Sequence, residues 1–248
     1  LDDQLDLTPA RVQALCDRQR GLGADGVLRV VRSEGKWFMD YRNADGSVAE
    51  MCGNGIRVFV RYLLANDLAS VGPAGLPVAT RSGVVVAVLE GDQITVHMAA
   101  PRVYAASTAT AGPLTFPGMA VDCGNPHLVC TLHDGVVLSS LDLSVAPGFD
   151  HQLFDAGVNV EFVVPAAPVD GADLHVTMRV HERGSGETMS CGSGALAVGA
   201  VALRDAGLDT GRVAVDLPGG RLVVTHDQAD RWWLAGPAVL VATGETLA

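Results

Sequence analysis

Apolar positions along the chain change period several times, and each change marks an element. Thr8-Pro9 has the form of an N-cap followed by proline at the first helical position. Val12, Leu15 and Cys16 then recur at helical spacing, which predicts a helix to about Gln19. After Gly21 to Gly26 the period drops to that of strands. Strands are predicted at Val27–Val31, Trp37–Arg42, Val84–Leu89 and Gln93–Met98, with Glu90-Gly91-Asp92 as a hairpin turn. The segment from Pro101 to Pro117, rich in Ala, Thr, Gly and Pro, reads as a crossing between two halves. Strands are again predicted near Met119–Cys123, His127–Leu132, Val158–Val164 and Leu174–His181. A hairpin pair follows at Arg212–Leu217 and Arg221–His226, joined by Pro218-Gly219-Gly220, then Trp232-Trp233 and Val239–Val241.

Two runs stand apart because they are apolar nearly all round. Ile56 to Leu64 follows Cys52-Gly53-Asn54-Gly55, and Ala195 to Leu203 follows Cys191-Gly192-Ser193-Gly194. Helices of that kind are buried, and these are too short to span a bilayer. Each cysteine therefore stands at the N-terminus of a buried helix, where free N–H groups and the positive dipole end gather. That position lowers a thiol pKa and suits an anionic group. A repeated unit implies a duplicated half, with two cysteines facing one site. Short strands around one buried helix per half predict an α+β fold of two domains.

At 248 residues the chain has room for two such domains. A formal net charge of −11 argues against nucleic acid or an anionic membrane as partner. No transmembrane stretch or signal peptide is read, and five cysteines without framework spacing suit a reducing, cytoplasmic setting. Of 17 Lys and Arg residues, Lys36 alone is lysine. It lies in the turn-like Ser33-Glu34-Gly35-Lys36, a poor place for a pyridoxal-phosphate Schiff base.

The glycines of Gly21 to Gly26 match G-x-G-x-x-G, but in the order helix, glycines, strand. A dinucleotide fingerprint needs the reverse. A turn that brings backbone to a ligand and a plain loop both remain open. Cys16, Cys123 and Cys130 read as small buried hydrophobes. For Cys52 and Cys191, metal binding is a rival, but C-x-x-C is absent and His181-Glu182-Arg183 lacks the second histidine of H-E-x-x-H. A redox pair is another rival, though it would use one turn rather than two halves. Taken alone, His127 reads as an ordinary satisfied histidine and Glu182-Arg183 as a charged strand end. Asn43, Asn125 and Asn159 read as turn or cap residues, and Trp232-Trp233 as packing.

In combination these residues resemble the diaminopimelate epimerase family. The likeness is carried by Asn43-Ala44-Asp45-Gly46-Ser47 running into Met51-Cys52-Gly53-Asn54-Gly55-Ile56-Arg57, and by Gly124-Asn125-Pro126-His127. Gly157-Val158-Asn159-Val160, Glu182 to Thr188 leading into Ser190-Cys191-Gly192-Ser193-Gly194, and Gly21 to Gly26 complete it. The order is right over nearly the whole chain. The resemblance implies an isomerase that interconverts LL- and meso-2,6-diaminopimelate, a step toward lysine and peptidoglycan, with neither cofactor nor metal. It implies two pseudo-symmetric α/β domains, each a curved, mostly antiparallel sheet wrapped around a central helix. These would be residues 1–104, rejoined by a C-terminal strand within 237–248, and residues 105–236.

It also implies that Cys52 and Cys191 are the acid/base pair. His127 and Glu182 would assist them. Gly53, Asn54, Gly192 and Ser193 would hold the α-carboxylate, and Asn43, Asn125, Asn159 and Arg183 the distal stereocentre. The expected partner is a small-molecule substrate, and a homodimer is compatible with the family. The chain starts after the family's His-Gly-x-x-Asn-Asp-Phe-like segment, so one sheet edge and one substrate contact are expected to be missing. Two other readings stay open: another cofactor-free racemase, such as a proline racemase relative, and a non-catalytic amino-acid binding protein of the same fold.

Overall fold

A computed structural model of the chain describes residues 6–49, 52–133 and 135–245. The fold is α+β, with few helices and mostly antiparallel strands. The chain divides into two compact units, residues 1–96 with 237–248, and residues 97–236.

The first unit opens with α1 (Pro9–Cys16), capped by the Thr8 side chain, which accepts the Arg11 N–H. The helix stops at Cys16 rather than near Gln19. Asp17 Oδ1 accepts the N–H groups of Gln19 and Arg20, each at 2.7 Å, and this local turn outcompetes a further helical turn. β1 (Gly26–Ser33) and β2 (Lys36–Asn43) pair antiparallel, and α2 (Gly53–Ala65) packs on both. β3 (Leu76–Thr80), β4 (Gly83–Glu90) and β5 (Gln93–Met98) follow in sheet order. Ile56, Phe59, Val60 and Leu63 of α2 are at most 1% exposed, as its apolar run predicts. The Gly21 to Gly26 loop lies back on α1. A Cβ on Gly21 would stand 2.1 Å from Ala14 O, so that glycine serves packing within the unit.

In the second unit the segment expected to be a crossing is a long hairpin instead. β6 (Arg102–Ala111) and β7 (Leu114–Asp122) pair antiparallel with a bulge at Tyr104. Alternating Ala, Ser and Thr in β6 keep a period of two but carry little apolar contrast, which hid the strand. β8 (Pro126–Thr131), β9 (Gly148–Phe149), β10 (Asn159–Pro165), β11 (Leu174–Glu182) and β12 (Gly186–Thr188) follow. Then come α3 (Gly192–Asp205), β13 (Gly211–Leu217), β14 (Gly220–His226) and β15 (Trp232–Gly236). Sheet order is β15-β14-β13-β11-β10-β8-β7-β6-β9, with β12 on β11. The β8–β10 and β11–β13 pairs are parallel. Strands β7, β8, β10, β11, β13 and β14 all touch α3, so the sheet curves around that helix. Gly199 lets α3 sit close, since a Cβ there would lie 2.6 Å from a Val224 methyl.

The expected strand at Val239–Val241 does not form. Residues 237–245 group with the first unit, and Ala238 O accepts from Arg61 Nε at 3.1 Å, but no ladder develops. Pro237 brings no N–H, and Val239 and Val241 are 72% and 95% exposed. Residues 246–248, the end of the 237–248 segment expected to hold that strand, lie outside the described residues.

Candidate active site

Each predicted cysteine is the N-cap of its helix. Cys52 has φ −140° and ψ 113°, and its Sγ accepts the Gly55 N–H at 3.2 Å. Cys191 has φ −130° and ψ 114°, and its Sγ accepts the Gly194 N–H at 3.4 Å. The repeat seen in sequence is thus a repeat of geometry. A sulfur takes the place that a serine or aspartate oxygen usually fills, and the next N–H groups, of Gly53 and Asn54 or of Gly192 and Ser193, head their helices.

In the first unit a loop delivers Cys52. Asn43 Nδ2 donates to Ser47 Oγ at 2.9 Å, and Asp45 O accepts from Gln13 Nε2 at 2.6 Å. Gly46 has φ +83°, and a Cβ there would stand 2.4 Å from Pro9 Cα, so only glycine fits. Asp40, 2% exposed, binds Arg29, Arg42 and Arg81. Burial alone would raise its carboxyl, but Arg81 and then Arg42 hold it below the usual range. Arg81 also donates to Tyr41 O and Ala49 O, at 3.4 Å each, which ties Ala49 to β2. Met51, which opens the Met51 to Arg57 stretch, lies outside the described residues.

Beneath Cys52 is a cation that the sequence reading left unassigned. Arg57 is 3% exposed and donates to Gly53 O and Asn54 Oδ1, both at 2.9 Å. Its Nε is buried without a partner. Burial lowers its pKa to about 10, so it stays charged at neutral pH. It sets a positive charge under the first turn of α2. Its signal in the sequence was an arginine four residues after Gly53 in an otherwise apolar run.

The second unit brings Asn125, His127, Asn159, Glu182, Arg183, Cys191 and Ser193 into one connected neighbourhood. The parallel register sets His127 opposite Asn159. Asn125 bonds His127 Nε2 at 3.1 Å through Oδ1 and donates to Ser193 Oγ at 3.3 Å through Nδ2. Ser193 Oγ lies 3.7 Å from Cys191 Sγ. Glu182 is held by the Thr188 hydroxyl. Arg183 donates to Ala156 O at 2.9 Å and is otherwise exposed. A second residue the sequence reading missed, Glu161, binds His127 Nδ1 at 2.6 Å, with both side chains 0% exposed. Its signal was a lone carboxylate in the apolar run Val160 to Val164.

Cys191 corrects one expectation. A helix N-terminus should lower its pKa, yet the thiol is pushed well above the ordinary value. Burial is the main cause, and Glu182 and Glu161 add to it. The Gly194 N–H and Ser193 oppose them only in part. Lys36 is exposed at the start of β2. Among the described residues, no group of three or more His, Cys, Asp or Glu side chains is arranged to hold a metal, and no helix is long and apolar enough to cross a membrane.

These folded units place the chain in a class with known members. A predicted epimerase from Pseudomonas aeruginosa superposes with a TM-score of 0.69 at 15% identity, over 99% of this chain and 90% of that one. A PhzF-family phenazine biosynthesis protein from Bacillus anthracis gives 0.67 at 16%, over 92% and 86%. A probable proline racemase from Agrobacterium radiobacter gives 0.61 at 13%, over 95% and 83%. At such identities the likeness defines the fold class alone.

Sequence comparison goes further. The diaminopimelate epimerase family model matches residues 1–104 and 119–246. The diaminopimelate epimerase of Mycolicibacterium smegmatis is 47% identical over 99% of this chain and 90% of its own length. That of Corynebacterium glutamicum is 46% identical over 98% and 91%. The chain belongs to the diaminopimelate epimerase family, and it is an isomerase.

Proposed function

We propose that the protein interconverts LL- and meso-2,6-diaminopimelate by removing and returning one α-proton, with Cys52 and Cys191 as the two acid/base groups. One observation carries this reading: both cysteines cap glycine-led buried helices with the same geometry, in a chain of this family. A carbanion next to a carboxylate needs electrostatic stabilisation. Helix-heading N–H groups of Gly53 and Asn54, and of Gly192 and Ser193, suit that charge. One cysteine as thiolate takes the proton, and the other as thiol delivers one to the opposite face of the carbon. The reverse reaction exchanges the roles.

His127 and Glu182 assist at Cys191, and Asn43, Asn125, Asn159 and Arg183 read the distal centre. The product serves lysine and peptidoglycan synthesis, in the cytoplasm, with a homodimer as the assembly to test. The chemistry needs no pyridoxal phosphate, and the sole lysine is exposed on a hairpin.

The decisive experiment follows the α-proton of LL-diaminopimelate by NMR in D₂O. Wild-type protein should exchange it and form the meso isomer. Cys52→Ala and Cys191→Ala should each abolish epimerisation while staying folded. Near-normal turnover by either variant would overturn the reading, and binding without exchange would make the protein a binding module.

A further inference from the structure

Glu161 has no part in the chemistry above, yet its carboxylate is fully buried in the second unit. Its side chain is 0% exposed, Oε1 lies 2.6 Å from His127 Nδ1, and Oε2 has no hydrogen-bond partner. A Cβ on Gly194 would stand 2.7 Å from Oε1, so the carboxylate sits against the first turn of α3, the turn that Cys191 caps. His127 Nε2 continues the chain to Asn125 Oδ1, Asn125 Nδ2 to Ser193 Oγ, and Ser193 Oγ to Cys191 Sγ.

Proton counting gives this chain a direction. Asn125 donates to Ser193 through Nδ2, so Oδ1 faces His127, and Nε2 must carry a hydrogen to bond it. A second proton lies between Nδ1 and Glu161. The pair as a whole is then neutral, which suits a site closed to water, where a lone carboxylate is costly. Burial raises the Glu161 carboxyl, His127 partly opposes this, and Glu182 adds to it. Among the described residues, the thiols of Cys123, Cys130 and Cys191 also interact with Glu161, and all three are pushed upward by burial and so neutral.

We propose that Glu161 is a positioning residue for Cys191: by sharing a proton with His127 Nδ1 it keeps His127 a donor at Nε2 and so orients the Asn125–Ser193 relay toward the sulfur. Ser193 accepts from Asn125 and is left with its own hydrogen to give to Cys191 Sγ, which favours the thiolate when the proton leaves. Without Glu161 the ring can adopt the other tautomer. Nε2 then accepts, Asn125 turns its Nδ2 to His127 and its Oδ1 to Ser193, and the serine hydrogen is drawn from the sulfur. The inference rests on the acid/base role proposed for Cys191.

The test reads the ring directly and then turnover. ¹H–¹⁵N spectra of the histidine rings in resting wild-type protein, assigned against His127→Gln, should show Nε2 protonated at neutral pH. They should also show a far-downfield Nδ1 proton that disappears in Glu161→Leu. Glu161→Leu should lower kcat by about ten- to a hundredfold with KM little changed, the size of a lost buried hydrogen bond expressed as a rate. Glu161→Gln should recover most of that loss, because its amide can donate to Nδ1 and leave Nε2 protonated.

An unprotonated Nε2 in the wild type would overturn the proposal, as would a folded Gln variant as impaired as the Leu variant. If Glu161→Leu does not fold, the wild-type spectrum and the Gln variant still decide. A wrong ring spectrum together with an inactive Cys191→Ala removes only the role of Glu161. Turnover by Cys191→Ala removes the two-cysteine reading itself.

Discussion

Asn159 Oδ1 accepts the backbone N–H of Arg183 at 2.9 Å, while its Nδ2 donates to Pro126 O at 3.2 Å. One carboxamide thus ties the start of β10 to the head of β8 and to the residue that follows β11. Asn159→Ala should therefore lose about 1–3 kcal/mol, the cost of leaving buried polar groups unpaired. Urea unfolding measures that loss, and hydrogen exchange at the Arg183 amide should speed up in the same variant. A neutral substitution with unchanged exchange would show that the staple is idle.

The two thiols proposed as the acid/base pair should differ in reactivity. Cys52 is half-buried, whereas Cys191 is 5% exposed with its pKa raised. The thiolate is the reactive form, so a raised pKa means that Cys191 reacts only as pH climbs past the ordinary thiol range. At neutral pH an alkylator should label Cys52 first, by about tenfold or more. Cys130, raised to about 12 and buried, should stay unlabelled. Peptide mass spectrometry after timed quenching gives the order, and Cys191 labelled first would contradict it.

Acid should weaken the first unit through Asp40. Its folded pKa lies below its ordinary value of 3.8, so the stability it contributes is complete above that value. That stability is lost as pH falls through the lower, folded value. Asp40→Asn removes the charge that Arg29, Arg42 and Arg81 share. Stability near neutral pH should drop by about 3 kcal/mol, the scale for breaking a buried ion pair. The variant should also lose part of the wild type's acid sensitivity between pH 3.8 and the folded value, as read from unfolding midpoints across pH.

Lys36→Arg should keep full activity, and borohydride should not inactivate the enzyme. Lys36 is exposed on the β1–β2 hairpin, where a Schiff base would have no enclosed site. Loss of turnover in the variant, or an aldimine-like absorbance in pure protein, would reopen the cofactor question.

The features legible in sequence are those that neighbours along the chain enforce. A cysteine followed by Gly-polar-Gly and an apolar run is enough to specify a cap, a helix and its burial, because the capping bond joins residues three apart. The same locality made the β13–β14 and β4–β5 hairpins readable and let the motifs be recognised in order. Other features depend on residues that meet only after folding. Glu161 and His127 are 34 positions apart, and their contact exists because β8 and β10 pair in parallel with His127 opposite Asn159. The upward shift of Cys191 has the same origin. Position at a helix N-terminus is local, but burial and two carboxylates from β10 and β11 outweigh it, and no spacing rule encodes that balance.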